Sequence, residues 1–392
     1  MTPTVYFHIG LPKTGSTAIQ EYFKLYSTVF LQHGIAGLAY NGQGSHTGLA
    51  QYLLRLDDES LGKQSSNHII DNQFDALAIK TYLYDTAIDV SLFPSFENCS
   101  KIFISSEDFY SLGSLGVQCV SDYAVQNQAN LSIMAVVRSP QQWIYSMWKQ
   151  HIKSNWIDWY DFLELACTEK IGFLTKIFNP WRGHSNTSIT LLQYDSKKLI
   201  SNFFLKLGVP NSVLINSDSF SNINKSLNSV DAVYQALLTK NVLECISLMK
   251  RNNFHKPSIG YIRRLLLDFS DNSNATYEIT SMYRDKIIQG HKVFGVDTSE
   301  LLSAYTQLWT EDALHLLNTT QDMIDEESRA QLKGVIDRAS KINEDGQINL
   351  VEQNGLFPNR DFINHLPINA QFIGLGRCIA STILLGSRFY KA

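Results

Sequence analysis

Short apolar runs recur along the first half of the chain, and each is followed by a stretch with helical spacing. Val5 to Ile9 is the first run. Ile19, Tyr22/Phe23, Tyr26 and Val29/Phe30 then follow at intervals of three and four. This pattern predicts a buried strand over 4–9 and a helix over 16–32. Lys101–Ser106, Leu131–Val137 and Thr187–Tyr194 predict three further strands. Helices are expected over 48–56, 71–90, 120–129 and 159–168. Two more are expected, one from Pro140 to about 154 and one from about 196 to 207, where Gly208 stops it. Pro140 occupies the first-turn position that proline favours. Residues 41–48 carry turn chemistry, and 60–70 read as a polar loop.

Strands alternating with helices of this length predict a parallel α/β sheet with helices on both faces. Such sheets bind ligands at the carboxyl ends of their strands. Lys13, Glu107 and Arg138 each follow a predicted strand, so they are expected on one rim. Residues 211–229 are Asn/Ser-rich. From about 230 the pattern turns helical, over 230–250, 258–269, 276–289, 297–317 and 322–340. The expected division is an α/β core over 1–230 and a mostly α-helical region over 231–392, the latter able to pack on the core as one domain. The apolar stretch 368–386, interrupted by Arg377, reads as a docked helix or an interfacial one.

The first strand ends in Gly10-Leu-Pro-Lys-Thr-Gly-Ser-Thr17. A strand, a small-residue loop and a helix start together make an anion site, because loop N–H groups and the helix dipole both favour negative charge. The spacing compares with the nucleotide loop G-x-x-x-x-G-K-[ST]. Gly10, Gly15 and Thr17 fit that pattern. Ser16, however, stands in the lysine position, and the loop's lysine is Lys13. The Lys-then-hydroxyl arrangement for a magnesium-bound triphosphate is broken.

Composition narrows the field. With 44% hydrophobic and 18% charged residues, the chain is too apolar for disorder. A net charge of −4 argues against a general nucleic-acid partner, so any basic site must be local. The chain enters its first strand within four residues, which predicts no secretory signal. No run of about 18 uncharged apolar residues occurs, which predicts no membrane span. Five scattered cysteines (Cys99, Cys119, Cys167, Cys245 and Cys378) read as reduced thiols of a cytoplasmic protein. The ten histidines show no ligand spacing, so no metal site is expected. The six Asn-x-Ser/Thr triplets read as products of an Asn/Ser-rich composition.

The segment Pro12–Thr17 resembles the 5′-phosphosulfate loop of sulfotransferases that use 3′-phosphoadenosine 5′-phosphosulfate (PAPS), where P-K-T-G-[ST]-[ST] joins the first strand to the first helix. Arg138-Ser-Pro-Gln-Gln-Trp-Ile-Tyr-Ser146 resembles that family's 3′-phosphate segment, in which an Arg at a strand end and a Ser eight residues on grip the extra phosphate. Gln193-Tyr194-Asp195, before a helix closed by Leu207-Gly208-Val209, is a weaker likeness to the family's Tyr-containing strand end. The resemblance covers roughly residues 4–230 and implies PAPS as co-substrate with no metal requirement. It also implies that Thr14, Gly15, Ser16 and Thr17 hold the phosphosulfate, that Lys13 stabilises the leaving phosphate, and that Arg138, Ser146 and Tyr194 serve the nucleotide.

Carbohydrate sulfotransferases of this family use a Glu base, whereas the small-molecule branch uses a His. Glu107 after the second strand is therefore the candidate base, and His46 the alternative base or a substrate contact. A glycan or glycolipid acceptor follows, as for a bacterial enzyme acting on a surface polysaccharide or lipid-linked sugar at the inner membrane face, with 368–386 as a peripheral membrane contact. Plainer readings stand beside these. Glu107 suits a helix cap or a solvated acid, Tyr194 the core, and Trp143, Trp148, Trp156 and Trp159 either the core or cleft walls. Lys225 and Ser226 match the family's closing basic loop poorly. The competing functions are a P-loop kinase or NTPase and a non-catalytic nucleotide-binding scaffold.

Overall fold

The computed structural model describes residues 2–37, 47–60, 99–151, 159–214, 220 and 299–344. The expected helices 71–90, 230–250, 258–269 and 276–289, the segment 368–386, and His46, Trp156, Lys225 and Ser226 lie outside them. Contacts divide the chain into two compact units. One comprises Met1–Trp143, Gly172–Lys225 and Thr306–Lys341; the other comprises Ile144–Ile171, Ser226–Tyr305 and Ile342–Ala392. The first unit thus gathers Thr306–Lys341 with the segments that hold the sheet.

The first unit is built on five parallel strands: β1 (Thr4–Ile9), β2 (Ile35–Gly37), β3 (Lys101–Ser106), β4 (Asn130–Val137) and β5 (Thr187–Gln193). Their order is β2-β3-β1-β4-β5. Alternate side chains of β1 serve opposite faces. Phe7 stacks on Phe109 at 4.2 Å and meets Trp181 at 5.2 Å. His8 on the other face meets the edge of Phe203 at 4.7 Å. That second face is packed by Ile19, Tyr22 and Phe23 of α1 (Ser16–Leu25) and by Phe203 and Phe204 of α8 (Leu199–Lys206). The sheet is therefore covered on both sides, as its near-continuous apolar strands require.

The four predicted strands form at or within one residue of the expected limits. β2 is three residues long and has no period to betray it. The helix expected over 16–32 is two helices, α1 and α2 (Ser27–Gln32), because Tyr26 leaves helical geometry at φ −107° and ψ 20°. α3 spans Thr47–Ser60 rather than 48–56, and α4 spans Ser114–Gln126 rather than 120–129. Asp57 of α3 accepts the Gly113 and Leu115 N–H groups at 2.8 and 2.9 Å, and so caps α4 from a distant part of the chain. No local residue signals that start. The remaining helices are α5 (Pro140–His151), α6 (Trp159–Glu169), α7 (Leu174–Phe178), α9 (Ser299–Thr319) and α10 (Glu326–Glu344).

The C-terminal helices return to the sheet for a definable reason. β5 is an edge strand, and its outward N–H groups at 189, 191 and 193 need acceptors. Met323 C=O, Ser328 Oγ and Gln331 Oε1 supply them, at 2.7, 2.9 and 2.5 Å. Residues of and just before α10 therefore close the edge.

The second unit contributes an aromatic cluster. Tyr145, Trp148 and Trp159 are buried and meet at ring separations of 5.5 to 5.9 Å. Trp148 and Trp159 are core residues in this unit, and Trp143 is core in the first, so none of the three offers an open ring to a sugar. Among the described residues, no helix is long and apolar enough to cross a membrane.

His8 lies wholly buried in β1, beside its register partner Ser105 of β3. His8 Nδ1 and Ser105 Oγ are 2.8 Å apart, and Gln20 of α1 donates to the same hydroxyl at 3.1 Å. Burial pulls the His8 pKa down from its usual value to about 3, so the folded protein holds a neutral imidazole. The unfolded chain binds that proton near pH 6.5. Stability should then be fully present above pH 6.5 and fall as pH drops toward 3, with a slope of up to about 1.4 kcal/mol per pH unit. Urea midpoints measured across this window should flatten in His8→Asn. An unchanged pH slope in that variant would show that His8 is not the group responsible.

Candidate functional site

The strand order sets the position of the site. The chain leaves β1 toward β2, and it leaves β4 toward β5. Adjacent strands whose connections depart in opposite directions open a crevice at their carboxyl ends. The loop Gly10–Gly15 follows β1, and Arg138 follows β4. Glu107 follows β3, and Tyr194 follows β5. Lys13, Glu107 and Arg138, expected on one rim, each follow the carboxyl end of a strand of this parallel sheet, and Tyr194 follows a fourth.

Gly10 is the first close approach. Its N–H bonds Ser106 C=O at 2.9 Å. A side chain there would meet the Glu107 Cα and Ser106 oxygen at 3.0 Å. Only glycine lets the end of β1 lie against the end of β3, and that contact brings Glu107 to the loop.

The loop itself turns through two left-handed residues, Lys13 at φ 63° and Gly15 at φ 90°. Lysine adopts that conformation rarely, so outside contacts must hold it. Trp143 of α5 donates its indole N–H to Pro12 C=O at 2.7 Å, and an Arg138 guanidinium N–H donates to Lys13 C=O at 3.3 Å. Within the loop, the Thr14 N–H and hydroxyl both bond Leu11 C=O, at 3.3 and 2.6 Å. The Thr14 amide, expected to serve the anion, is thus engaged by the loop. That leaves the amides of Gly15, Ser16 and Thr17 at the start of α1. These first-turn N–H groups have no acceptor inside α1, and Gly15 C=O receives the Ile19 N–H at 3.2 Å. Ser16 is buried and turns its hydroxyl toward Leu11 C=O at 3.4 Å, whereas Thr17 is exposed.

The electrostatics are those of a mixed-charge rim. Burial raises the Glu107 pKa, nearby Lys13 pulls it back, and Asp108 raises it further. The residue as a whole stays open to solvent, which caps the size of that shift. Glu107 starts a short 3₁₀ turn, Asp108–Ser111, without capping it through its side chain. It is therefore not the structural cap that its position suggested. Burial lowers the Arg138 pKa, and Tyr194 offsets part of this. The guanidinium lies 4.8 Å from the Tyr194 ring centre, an ordinary cation–π distance, and its Nε donates to Gln142 at 3.3 Å. Lys13, Glu107, Arg138 and Tyr194 are thus linked around one loop.

Ser146 stands eight residues after Arg138 on α5 and is buried. It belongs to the second unit. Among the described residues, no group of three or more His, Cys, Asp or Glu side chains could hold a metal. Trp143 is the residue that sequence reasoning missed, since an apolar ring at helical spacing carries no sign that its N–H reaches a loop 131 residues away. The chain matches no family model, no curated protein and no solved structure.

Gly15→Ala tests the loop. The change forces a side chain into φ 90°, and its Cβ would lie 2.2 Å from Leu199 Cδ2. The flexible Leu199 tip can yield; the backbone cannot. Chemical denaturation should show a loss of about 1–2 kcal/mol. An unchanged midpoint would mean that the left-handed turn is not required.

Proposed function

We propose that the chain is a PAPS-dependent sulfotransferase acting on a carbohydrate. The observation that carries this reading is the Gly10–Thr17 loop, with open first-turn amides at a helix start and two cations, Lys13 and Arg138, joined through the loop backbone. A sulfuryl donor needs such a place, because charge builds on the leaving phosphate and fixed donors stabilise it without a metal. Backbone crowding at Gly10 and the left-handed φ of 90° at Gly15 disfavour a side chain at either position, which fits a cradle made of backbone. The slot that holds lysine in a nucleotide P-loop holds buried Ser16, bonded back into the loop, which favours the sulfotransferase over a kinase.

PAPS, when bound, supplies an activated sulfuryl group. The amides of Gly15, Ser16 and Thr17 bind its 5′-side oxygens, and Lys13 places an ammonium there. Arg138 takes the 3′-phosphate and Tyr194 flanks the nucleotide. Ser146 joins that role on its motif position alone. Glu107, whose carboxyl interacts with Lys13, accepts the proton of the acceptor hydroxyl. A glycan or glycolipid acceptor follows from the choice of a carboxylate base, and the proposed setting is the cytoplasm or its inner membrane face.

Calorimetry with adenosine 3′,5′-bisphosphate (PAP) should show binding by the wild type, and its absence would sink the proposal. Lys13→Ala should leave PAP binding measurable but weakened by about tenfold, the share its ammonium carries, while removing labelled-sulfate transfer to the host's glycans; retained turnover would refute the role of Lys13. Glu107→Gln should likewise bind PAP and fail to transfer. Because the Glu107 pKa is raised, the carboxylate is fully formed only at higher pH. The rate should fall with decreasing pH through a point above the ordinary value of a Glu side chain. A pH–rate profile flat through that region would remove Glu107 as the base.

A further inference from the structure

We infer that Trp143 is a positioning residue, which sets the orientation of Lys13 through the peptide that precedes it. The inference rests on the sulfotransferase reading for the identity of the ligand that tests it. Indole has one polar atom, and it is a donor only. Trp143 is buried, yet it spends that donor on the carbonyl of Pro12 at 2.7 Å. The Pro12–Lys13 peptide is planar and trans, so a carbonyl fixed toward α5 turns the Lys13 N–H to the opposite side. Arg138 fixes the next carbonyl, that of Lys13, in the same way. With both peptide planes held, the Lys13 torsion between them has little freedom, and Lys13 sits at φ 63°. Lysine left to itself prefers negative φ, where its side chain would leave in another direction. Trp143 thus holds the ammonium of Lys13 on course without touching the ligand.

Its place in α5 suits this role. Trp143 N–H bonds Ser139 C=O at 2.9 Å in the first turn, so the ring is carried by the helix start that directly follows Arg138. The element that supplies the second cation therefore also sets the first. Trp143 is buried as thoroughly as a core side chain, but a phenyl ring would serve a core equally well. The directed N–H is what a purely structural role leaves unexplained.

The test separates the N–H from the ring. Replacing the indole at 143 with benzothiophene (3-benzothienylalanine) keeps the shape and removes the donor; Trp143→Phe is the genetic counterpart. Two ligands are titrated by calorimetry: PAP, which carries a 5′-phosphate for Lys13 and the loop, and adenosine 3′-phosphate, which does not. The dissociation constant for PAP should rise by about five- to tenfold, while that for adenosine 3′-phosphate stays within about twofold. Equal weakening of both ligands would mean that Trp143 is merely structural, and unchanged PAP affinity would mean that its N–H is idle; either result overturns the inference. Should Trp143→Phe fail to fold, the benzothiophene variant decides. A wild type that binds no PAP would instead overturn the sulfotransferase reading itself, and this inference with it.

Discussion

The loop can lead into α1 with that helix's first-turn amides open only if the carbonyls of Leu11, Pro12 and Lys13 are held elsewhere. Most of what surrounds the loop meets that constraint. The Pro12 carbonyl is taken by Trp143, the Lys13 carbonyl by Arg138, and the Leu11 carbonyl by Thr14 and Ser16. At Gly10 the end of β3 leaves no space for a side chain, and at Gly15 the left-handed φ of 90° disfavours one. The first helix then starts with its amides open. An anion site of this kind is assembled from backbone direction more than from side-chain charge.

The sheet supplies the frame for that arrangement. Because all five strands are parallel, every strand's carboxyl end faces the same rim, and polar residues placed just after strands are gathered without further instruction. The order β2-β3-β1-β4-β5 puts the loop after β1 beside Arg138 after β4 on one flank and Glu107 after β3 on the other. The beginning of β1 is conventional packing, with Phe7 on one face. The middle is less so, since His8, Ser105 and Gln20 form a wholly buried polar group just below the loop. Such a group gives the strands a fixed register at the cost of tolerance to acid.

Much of this was legible in the order of residues. β1, β3, β4 and β5 read cleanly because a buried parallel strand is a short apolar run with sharp polar ends. Lys13, Glu107 and Arg138 could be named because each stands directly after such a run. Other features had no local signal. β2 is too short for any period. The break at Tyr26 falls within unbroken helical spacing. The start of α4 depends on Asp57, more than 50 residues earlier. The loop likewise looked able to offer four amides, but Thr14 spends its own on Leu11, a choice made by the fold of the loop.

The sequence by itself determined the class of fold, a glycine-bounded loop between the first strand and the first helix, and the residue types that border it, because these follow from apolar runs, glycine spacing and charge at strand ends. Tertiary structure decided which carbonyls the loop must hide and which side chains hide them. It also decided that β5 needs the segment before and within α10 to satisfy its open edge, and that Trp143, Trp148 and Trp159 are interior rather than open rings. Those outcomes depend on contacts between segments distant in the chain. Periodicity reports which side of its own element a residue faces, and is silent on what waits there.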